Sequence, residues 1–463
     1  MSVDPLSLVM ESEELLCREF WINSWNFERL PQGRIWRISL QANDESFAGI
    51  YEELQWRGLI ALSTEETRLR EVLNTQSISF YCGFDPTAPS LHLGNLVQLL
   101  TMRRLQLAGH KPLCLVGGAT GLIGDPKPNA ERQLNTKETV AEWVERLARQ
   151  TSSFLSTEGK NASQLVNNLD WTAKLSAIDL LRDVGKYFRV GKMLSKDAVS
   201  ARLSSEAGIS YTEFSYQILQ GYDFLELYRR YGCVMQTGGS DQWGNLTAGA
   251  DLIHYSEQES VHLLATPLIT NADGQKFGKS EGNAVWLDEE MTSPYAFYQF
   301  WLNVMDADVV KLLKIFTFLS REDIEQLERE VSEKPFLRSA QKRLALEVTS
   351  LVHSEQVAER VREVSQALFG TDQLDQLDGS TLRSAADSLP NALGSEVENL
   401  PQALVATGLT PSLGAARRAI AEGGVYLNNQ KIDSEELDKT KLLPGNLMII
   451  RRGKKNLAAL IFD

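Results

Sequence analysis

At 463 residues the chain is too long for one ordinary domain, and its length suggests about three. With 43% hydrophobic and 23% charged residues and no apolar run of about 18 or more, the composition is that of a soluble globular protein and argues against a membrane span. A net charge of −14 speaks against a chain that coats nucleic acid non-specifically; four scattered cysteines without a CxxC pair and five histidines without ligand spacing speak against zinc and fit a reducing cytoplasm.

Residues 1–46 differ from the rest. They hold three of the nine tryptophans (Trp21, Trp25 and Trp36) and have neither an apolar signal core nor a transit-peptide composition. They read as a disordered tail or as sequence upstream of the true start, the competing reading being a small interaction arm. From residue 48 the pattern becomes regular, with short amphipathic helices at 50–57 and 64–73. The run from Ile78 to Asn95 then reads as strand, sharp loop and helix start, with Ser90 as the cap. Such a loop aims backbone N–H groups and a helix dipole at whatever sits above it, which favours a phosphate. His92, in the first helical turn, can donate to a phosphate oxygen, and Gly94 leaves room for a flat ring. A helix over 93–108 and a buried strand at 112–117 complete a βαβ unit, so the expected fold is α/β with a parallel sheet. The glycine-rich turn that follows lacks GxGxxG spacing and runs into Pro126, which fits a crevice wall bearing Asp125 better than a dinucleotide fingerprint.

Thr212 to Asp223 is helical by pattern. It puts Tyr216, Gln220 and Asp223 at i, i+4 and i+7 among apolar neighbours, an arrangement suited to a polar pocket. Val234 to Asn245 reads as strand, glycine turn and polar cluster, as at the ligand-binding strand ends of open α/β sheets. Leu268 to Ser280 reads as a strand entering a flexible loop whose Lys276, Lys279 and Ser280 suit a polyphosphate. Ser293-Pro294 opens an all-α domain reaching residue 370, and the acidic stretch 371–400 reads as a linker. Residues 401–463 carry two short helices, a hairpin signal at 423–431, and nine Lys/Arg against six Asp/Glu. There Arg417, Arg418, Lys431, Arg451, Arg452, Lys454 and Lys455 are candidates for a phosphate-contacting face.

Two of these stretches carry a family resemblance. His92-Leu93-Gly94-Asn95 resembles the HIGH signature of class I aminoacyl-tRNA synthetases, and Lys276-Phe277-Gly278-Lys279-Ser280, about 180 residues further on, resembles their KMSKS loop. The runs Tyr81 to Thr87, Val116 to Pro126, Tyr216 to Asp223 and Gly238 to Asn245 are similar to the bacterial tyrosyl branch of that family, over roughly residues 48–463. The resemblance implies a Rossmann-like catalytic domain at 47–291, an α-helical anticodon-binding domain at 292–370, and an alpha-L type RNA-binding domain at 401–463. It implies L-tyrosine, ATP and tRNA(Tyr) as substrates, Mg²⁺ entering with ATP, no prosthetic group, and a homodimer formed through the catalytic domain.

Carried over residue by residue, the resemblance implies that Thr87, His92, Lys276, Lys279 and Ser280 hold the phosphates in the transition state. Cys82, Gly83, Asp85, Gly94, Asn95, Gly239 and Asp241 would sit around ribose and adenine with His92 and Lys279, and Leu268 and Ile269 beneath the ring. Asp125, Tyr216 and Gln220 would take the amino-acid ammonium, Gln242 the carboxylate, and Tyr81 and Asp223 the phenol. Arg417, Arg418 and Lys431 would contact RNA. Asn95 departs from the final histidine of the signature. The loop after Asp125 leaves Lys127 and Arg132 as alternatives for pyrophosphate, Arg132 matching better. A tryptophanyl synthetase and a catalytically inactive RNA-binding regulator of the same fold are the competing readings.

Overall fold

A computed structural model describes residues 41–462 except 128–129, 207, 271–276, 281–282, 370–372 and 454–455; of Lys279 and Ser280 it describes the backbone. Most of the expected N-terminal extension therefore lies outside the described residues, but its last part belongs to the fold. Gln41 accepts a hydrogen bond from Arg103 Nε, Asn43 Nδ2 donates to the Arg104 carbonyl, and Phe47 packs on Trp56.

The first sheet contains β1 (Leu62–Ser63), β2 (Ser79–Phe84), β3 (Lys111–Val116), β4 (Gln164–Asn167), β5 (Cys233–Gly239) and β6 (His262–Thr266), in the spatial order β1-β6-β5-β2-β3-β4. All neighbours are parallel except β1 and β6. Strands buried on both faces need continuous apolar runs, which Leu113 to Val116 and Leu263 to Ala265 supply. The strand order reverses between β2 and β5. A crevice therefore opens at their carboxyl ends, the place where open α/β sheets bind ligands. Three helices flank it: α1 (Leu93–Leu107), α2 (Tyr211–Tyr231) and α3 (Trp243–Glu257). Tyr222, Phe224, Leu225 and Leu227 of α2 and Leu246, Leu252 and Ile253 of α3 share one core with Tyr81, Leu113 and Leu263 of the sheet.

Three local expectations are corrected. The cap of α1 is His92, not Ser90, and the histidine stands before the first turn rather than in it. Leu268 and Ile269 are not strand; the strand is β6, which ends at Thr266, because His262 to Thr266 carries the buried run. Beyond the loop, the short hairpin strands β7 (Lys279–Ser280) and β8 (Asn283–Ala284) pair antiparallel.

A helical unit follows, made of α4 (Pro294–Leu302), α5 (Asp306–Phe316), α6 (Arg321–Glu333), α7 (Ser339–Val352) and α8 (Glu355–Phe369). Ser293 caps α4 by accepting from the Ala296 N–H, with Pro294 in the first turn, as the sequence signal required. The stretch expected to be a linker is instead structured: α9 (Gly379–Asp387) and β9 (Asn391–Leu393) join the last unit, where β9 pairs parallel with the strand Asn456–Ile461. Leu382, Ala385 and Ala386 are fully buried, and these few small apolar residues anchor α9 despite its polar composition. That unit also contains α10 (Leu400–Ala406), α11 (Leu413–Ala421) and a sheet ordered β11-β10-β12-β13-β9. Its strands are β10 (Val425–Leu427), β11 (Gln430–Lys431), β12 (Leu447–Arg452) and β13 (Asn456–Ile461). The β10–β11 hairpin turns on Asn428 and Asn429, with φ of 48° and 64°, the left-handed region that asparagine tolerates. Among the described residues no helix is long and apolar enough to cross a membrane.

Candidate active site

The crevice holds a cavity of about 380 Å³. Tyr81, Cys82, Gly83, Asp85, Thr87, His92, Gly94, Asn95, Asp125, Tyr216, Gln220, Asp223, Gly239, Asp241, Gln242, Leu268 and Ile269 all line it. Arg132 lines it too, and Lys127 does not. Lys276 lies outside the described residues. Arg417, Arg418 and Lys431 are exposed in the C-terminal unit; Arg417 pairs with Glu435 at 3.2 Å, while Arg451 stacks on Tyr426 and Arg452 donates to the Leu409 carbonyl. Lys454 and Lys455 lie outside the described residues.

At the deep end, Asp223 is buried with 1% exposure. Asn168 Nδ2 donates to its Oδ2 at 2.9 Å, and Trp171 Nε1 to its Oδ1 at 2.8 Å. Burial pushes the Asp223 carboxyl up to about 7, against the lowering effect of those two donors. Tyr81 stands on the neighbouring wall, its ring 5.2 Å from that of Phe224. Its hydroxyl is buried without a hydrogen-bond partner among the described residues, and burial, then the charge of Asp223, raises its pKa well above the ordinary phenol value. The side-chain oxygens Gln220 Oε1, Gln236 Oε1 and Thr237 Oγ1 are orphaned in the same way. Buried polar groups in native proteins almost always find partners, so several orphans around one cavity mark a place built to receive a polar ligand.

A second cluster orders the middle of the cavity. Tyr216 Oη donates to Asp85 Oδ2 and Thr120 Oγ1 to Asp85 Oδ1, both at 2.6 Å. Burial raises the Asp85 pKa, and these two donors oppose the rise. Asp85, expected among the nucleotide contacts, thus has both oxygens engaged in holding Tyr216 and Thr120. The glycine turn after β3 makes room for this: a Cβ on Gly117 would stand 2.1 Å from Asp85 Oδ1. Asp125 carries a third cluster, taking Lys196 Nζ and Asn245 Nδ2 on Oδ1 and Gln242 Nε2 on Oδ2.

At the mouth, His92 Nδ1 accepts from the Gly94 N–H at 3.0 Å, and Asn95 Oδ1 accepts from the His92 N–H at 3.1 Å. With Nδ1 accepting, the neutral ring carries its proton on Nε2, which is then its donor. The same contact explains Gly94, since a Cβ there would meet His92 Cε1 at 2.8 Å. Asn95 uses its carbonyl as cap and leaves its NH₂ for the cavity. The two signatures are joined through backbone: Leu93 N–H donates to the Val285 carbonyl, Val285 N–H to the Gly278 carbonyl, and Leu287 N–H to the Leu91 carbonyl. Phe277 anchors the second signature in the aromatic cluster of the helical unit, its ring 5.4 Å from Trp301 and 5.1 Å from Phe300. The hairpin carrying Lys279 and Ser280 therefore starts beside the N-terminus of α1.

Sequence reasoning placed Gln236, Thr237 and Asn245 in a polar cluster at a strand end without giving them roles, and missed Asn168, Trp171 and Lys196. Asn167-Asn168-Leu169-Asp170-Trp171 follows β4 as a polar cluster at a strand end, a signal that could have found two of them. Lys196 had none, because its place depends on a connection that returns to the sheet.

Residues 73–370 match the family model for tRNA synthetases class I (W and Y), and residues 382–460 match that of the tyrosine–tRNA ligase SYY-like C-terminal domain. The chain belongs to the class I tRNA synthetases. Within that family it is 63% identical to a tyrosine–tRNA ligase of Leifsonia xyli over 428 residues, covering 92% of this chain and 97% of the relative. It is 61% identical to the tyrosine–tRNA ligase of Streptomyces avermitilis over 413 residues, 89% of this chain and 98% of the relative. A crystal structure of a C-terminally truncated mitochondrial tyrosyl-tRNA synthetase from Aspergillus nidulans superposes with a TM-score of 0.64 at 29% identity, covering 70% of this chain and 95% of that one. The fold of this synthetase is thus mixed α/β around a parallel sheet, with a second sheet in its C-terminal unit.

Proposed function

We propose that the cavity activates L-tyrosine with ATP and transfers tyrosyl to the 3′ end of tRNA(Tyr), releasing pyrophosphate and AMP. The observation that carries this reading is the pair at its deep end: a Tyr81 hydroxyl with no hydrogen-bond partner among the described residues and an Asp223 carboxylate held by Asn168 and Trp171. A phenol between them donates to one and exchanges a hydrogen bond with the other. A ligand without the hydroxyl leaves the Tyr81 hydroxyl unpaired and gives the buried Asp223 no third donor, which a buried site penalises strongly; tyrosyl synthetases are the standing example of this selectivity.

The substrate carboxylate, ionised at neutral pH, attacks the α-phosphorus of ATP without a general base, and the bond to the pyrophosphate oxygen breaks. The protein's work is positioning and stabilisation of charge. Asp125, Tyr216 and Gln220 take the ammonium and Gln242 the carboxylate. Cys82, Gly83, Gly94, Asn95, Gly239 and Asp241 receive ribose and adenine above Leu268 and Ile269. Thr87, His92 Nε2, Lys276, Lys279, Ser280 and Arg132 meet the phosphates, and Mg²⁺ enters bound to ATP. Asp85 acts here through Tyr216. The helical unit binds the anticodon, Arg417, Arg418 and Lys431 bind tRNA backbone, and the enzyme works in the cytoplasm as a homodimer.

The test is isotope exchange between pyrophosphate and ATP with each amino acid. Exchange is expected with tyrosine and not with phenylalanine or tryptophan; exchange with tryptophan alone would overturn the assignment, and none with any amino acid would favour an RNA-binding regulator.

A further inference from the structure

We propose that Lys196 is a specificity-determining residue of the amino-acid subsite, whose ammonium neutralises Asp125 from behind so that the cavity prefers a zwitterionic amino acid to the corresponding amine. The inference rests on the reading of this cavity as the tyrosine site. Lys196 immediately precedes the short helix Asp197–Leu203 and runs its aliphatic stem across Gly244. Its Nζ lies 3.1 Å from Asp125 Oδ1 and 2.6 Å from Asn245 Oδ1, with its side chain 11% exposed. Asn245 Nδ2 donates to Asp125 Oδ1 at 3.3 Å and to Gln242 Oε1 at 2.8 Å, and Gln242 Nε2 donates to Asp125 Oδ2 at 3.2 Å. Asp125 and Gln242 line the cavity, whereas Lys196 and Asn245 do not. The cation therefore stands on the far side of the carboxylate from the ligand. The same short helix holds the loop beyond Asp125, since Arg202 NH1 donates to the carbonyls of Lys127 and Ala130.

The consequence is electrostatic. A bare carboxylate would attract any amine and would repel a substrate carboxylate seated at Gln242, whose amide already touches Asp125. A largely buried lysine–aspartate pair is weakly screened and presents little net charge. The ammonium then gains less from Asp125, but the carboxylate is no longer repelled, so an amino acid loses little on balance. An amine without the carboxylate loses the attraction and gains nothing in return.

The test uses full-length protein and compares the KM for tyrosine in pyrophosphate exchange with the inhibition constant of tyramine in the same assay. Lys196→Gln keeps a donor and loses the charge. It is expected to tighten tyramine relative to tyrosine by about tenfold, the scale of one charge at this distance in a partly screened site. Lys196→Met should give the same shift in the ratio, and Lys196→Arg should keep the wild-type ratio. A lysine that merely supports the fold would move both constants together, so a parallel change, or no change, overturns the proposal. Asp125→Asn separates the two readings: an unaltered KM for tyrosine there would mean that the assignment of the amino-acid subsite fails, rather than the role of Lys196.

Discussion

Asp223 combines nearly complete burial with two fixed donors, and burial dominates, which is why its carboxyl titrates near 7 rather than 3.8. In the interval between those values the folded protein holds a proton that the unfolded chain has released. Stability therefore falls as pH rises from about 4 to about 7 and levels off above, by a contribution on the order of 4 kcal/mol when the group titrates alone. Equilibrium urea unfolding at several pH values checks this: Asp223→Asn should flatten the slope in that interval, whatever it does to stability at any one pH. Asn168 and Trp171 prefer the ionised acceptor, and so does a substrate phenol, so the KM for tyrosine should fall as pH rises through about 7 in the wild type. At this scale the residues that line the cavity were largely legible, because they sit in motifs at strand ends and on one face of α2. Those that hold them were not. Lys196, Asn168 and Trp171 reach Asp125 and Asp223 from 71, 55 and 52 residues away in sequence, and no local pattern encodes such a meeting.

The helix that begins at the first signature ends in a buried polar joint. Arg104, in the last turn of α1, donates to the Thr317 carbonyl and stacks over Phe318 at 4.2 Å. Arg57, which closes the helix Ile50–Trp56, pairs with Glu53 at 2.8 Å and donates to the carbonyls of Lys314, Thr317 and Leu319. Those carbonyls lie at and beyond the C-terminus of α5, where helix acceptors go unpaired unless another group meets them. Arg57→Met would leave the Lys314 and Leu319 carbonyls without this donor and Glu53 with Arg104, at 3.9 Å, as its remaining cation, at a cost of about 3–5 kcal/mol. The exposed Arg343–Glu347 pair provides the contrast, since Arg343→Ala should cost under about 1 kcal/mol. Urea midpoints of the two variants measure both; equal shifts would mean that the joint adds nothing beyond a surface ion pair. Elements of this molecule were readable where periodicity and end signals agreed, as at Ser293-Pro294 and in α2. The stretch 371–400 misled because α9 is anchored by small buried residues and β9 by backbone pairing to β13, neither of which leaves an apolar pattern. The cap of α1 was misplaced because a histidine, rather than the serine two residues before it, accepts the N–H.

On the molecular surface, large apolar side chains concentrate in one stretch of the catalytic unit. Ile178, Leu181, Val190, Leu203 and Tyr211 are 68%, 53%, 60%, 49% and 67% exposed. Tyr255 of α3, 55% exposed, lines a shallow depression with Tyr187, Phe188 and Lys192 of the same stretch. A protein of this charge has polar residues enough to cover such a surface, and scattered single exposures would need no explanation, but six within 34 residues, with Leu194 the least exposed, do. Short helices made only to be solvated would not carry Ile178, Leu181 and Val190 outward. An isologous contact between two copies buries the same patch on both and closes without open ends, which fits the proposed homodimer. Sedimentation equilibrium should give twice the chain mass of 51.8 kDa for the wild type. Ile178→Asp combined with Tyr211→Asp places charges that have no partner in the contact, and should shift the equilibrium toward monomer by several kcal/mol while circular dichroism stays unchanged. A double variant that still sediments as a dimer would move the interface elsewhere, and a wild-type monomer would remove it.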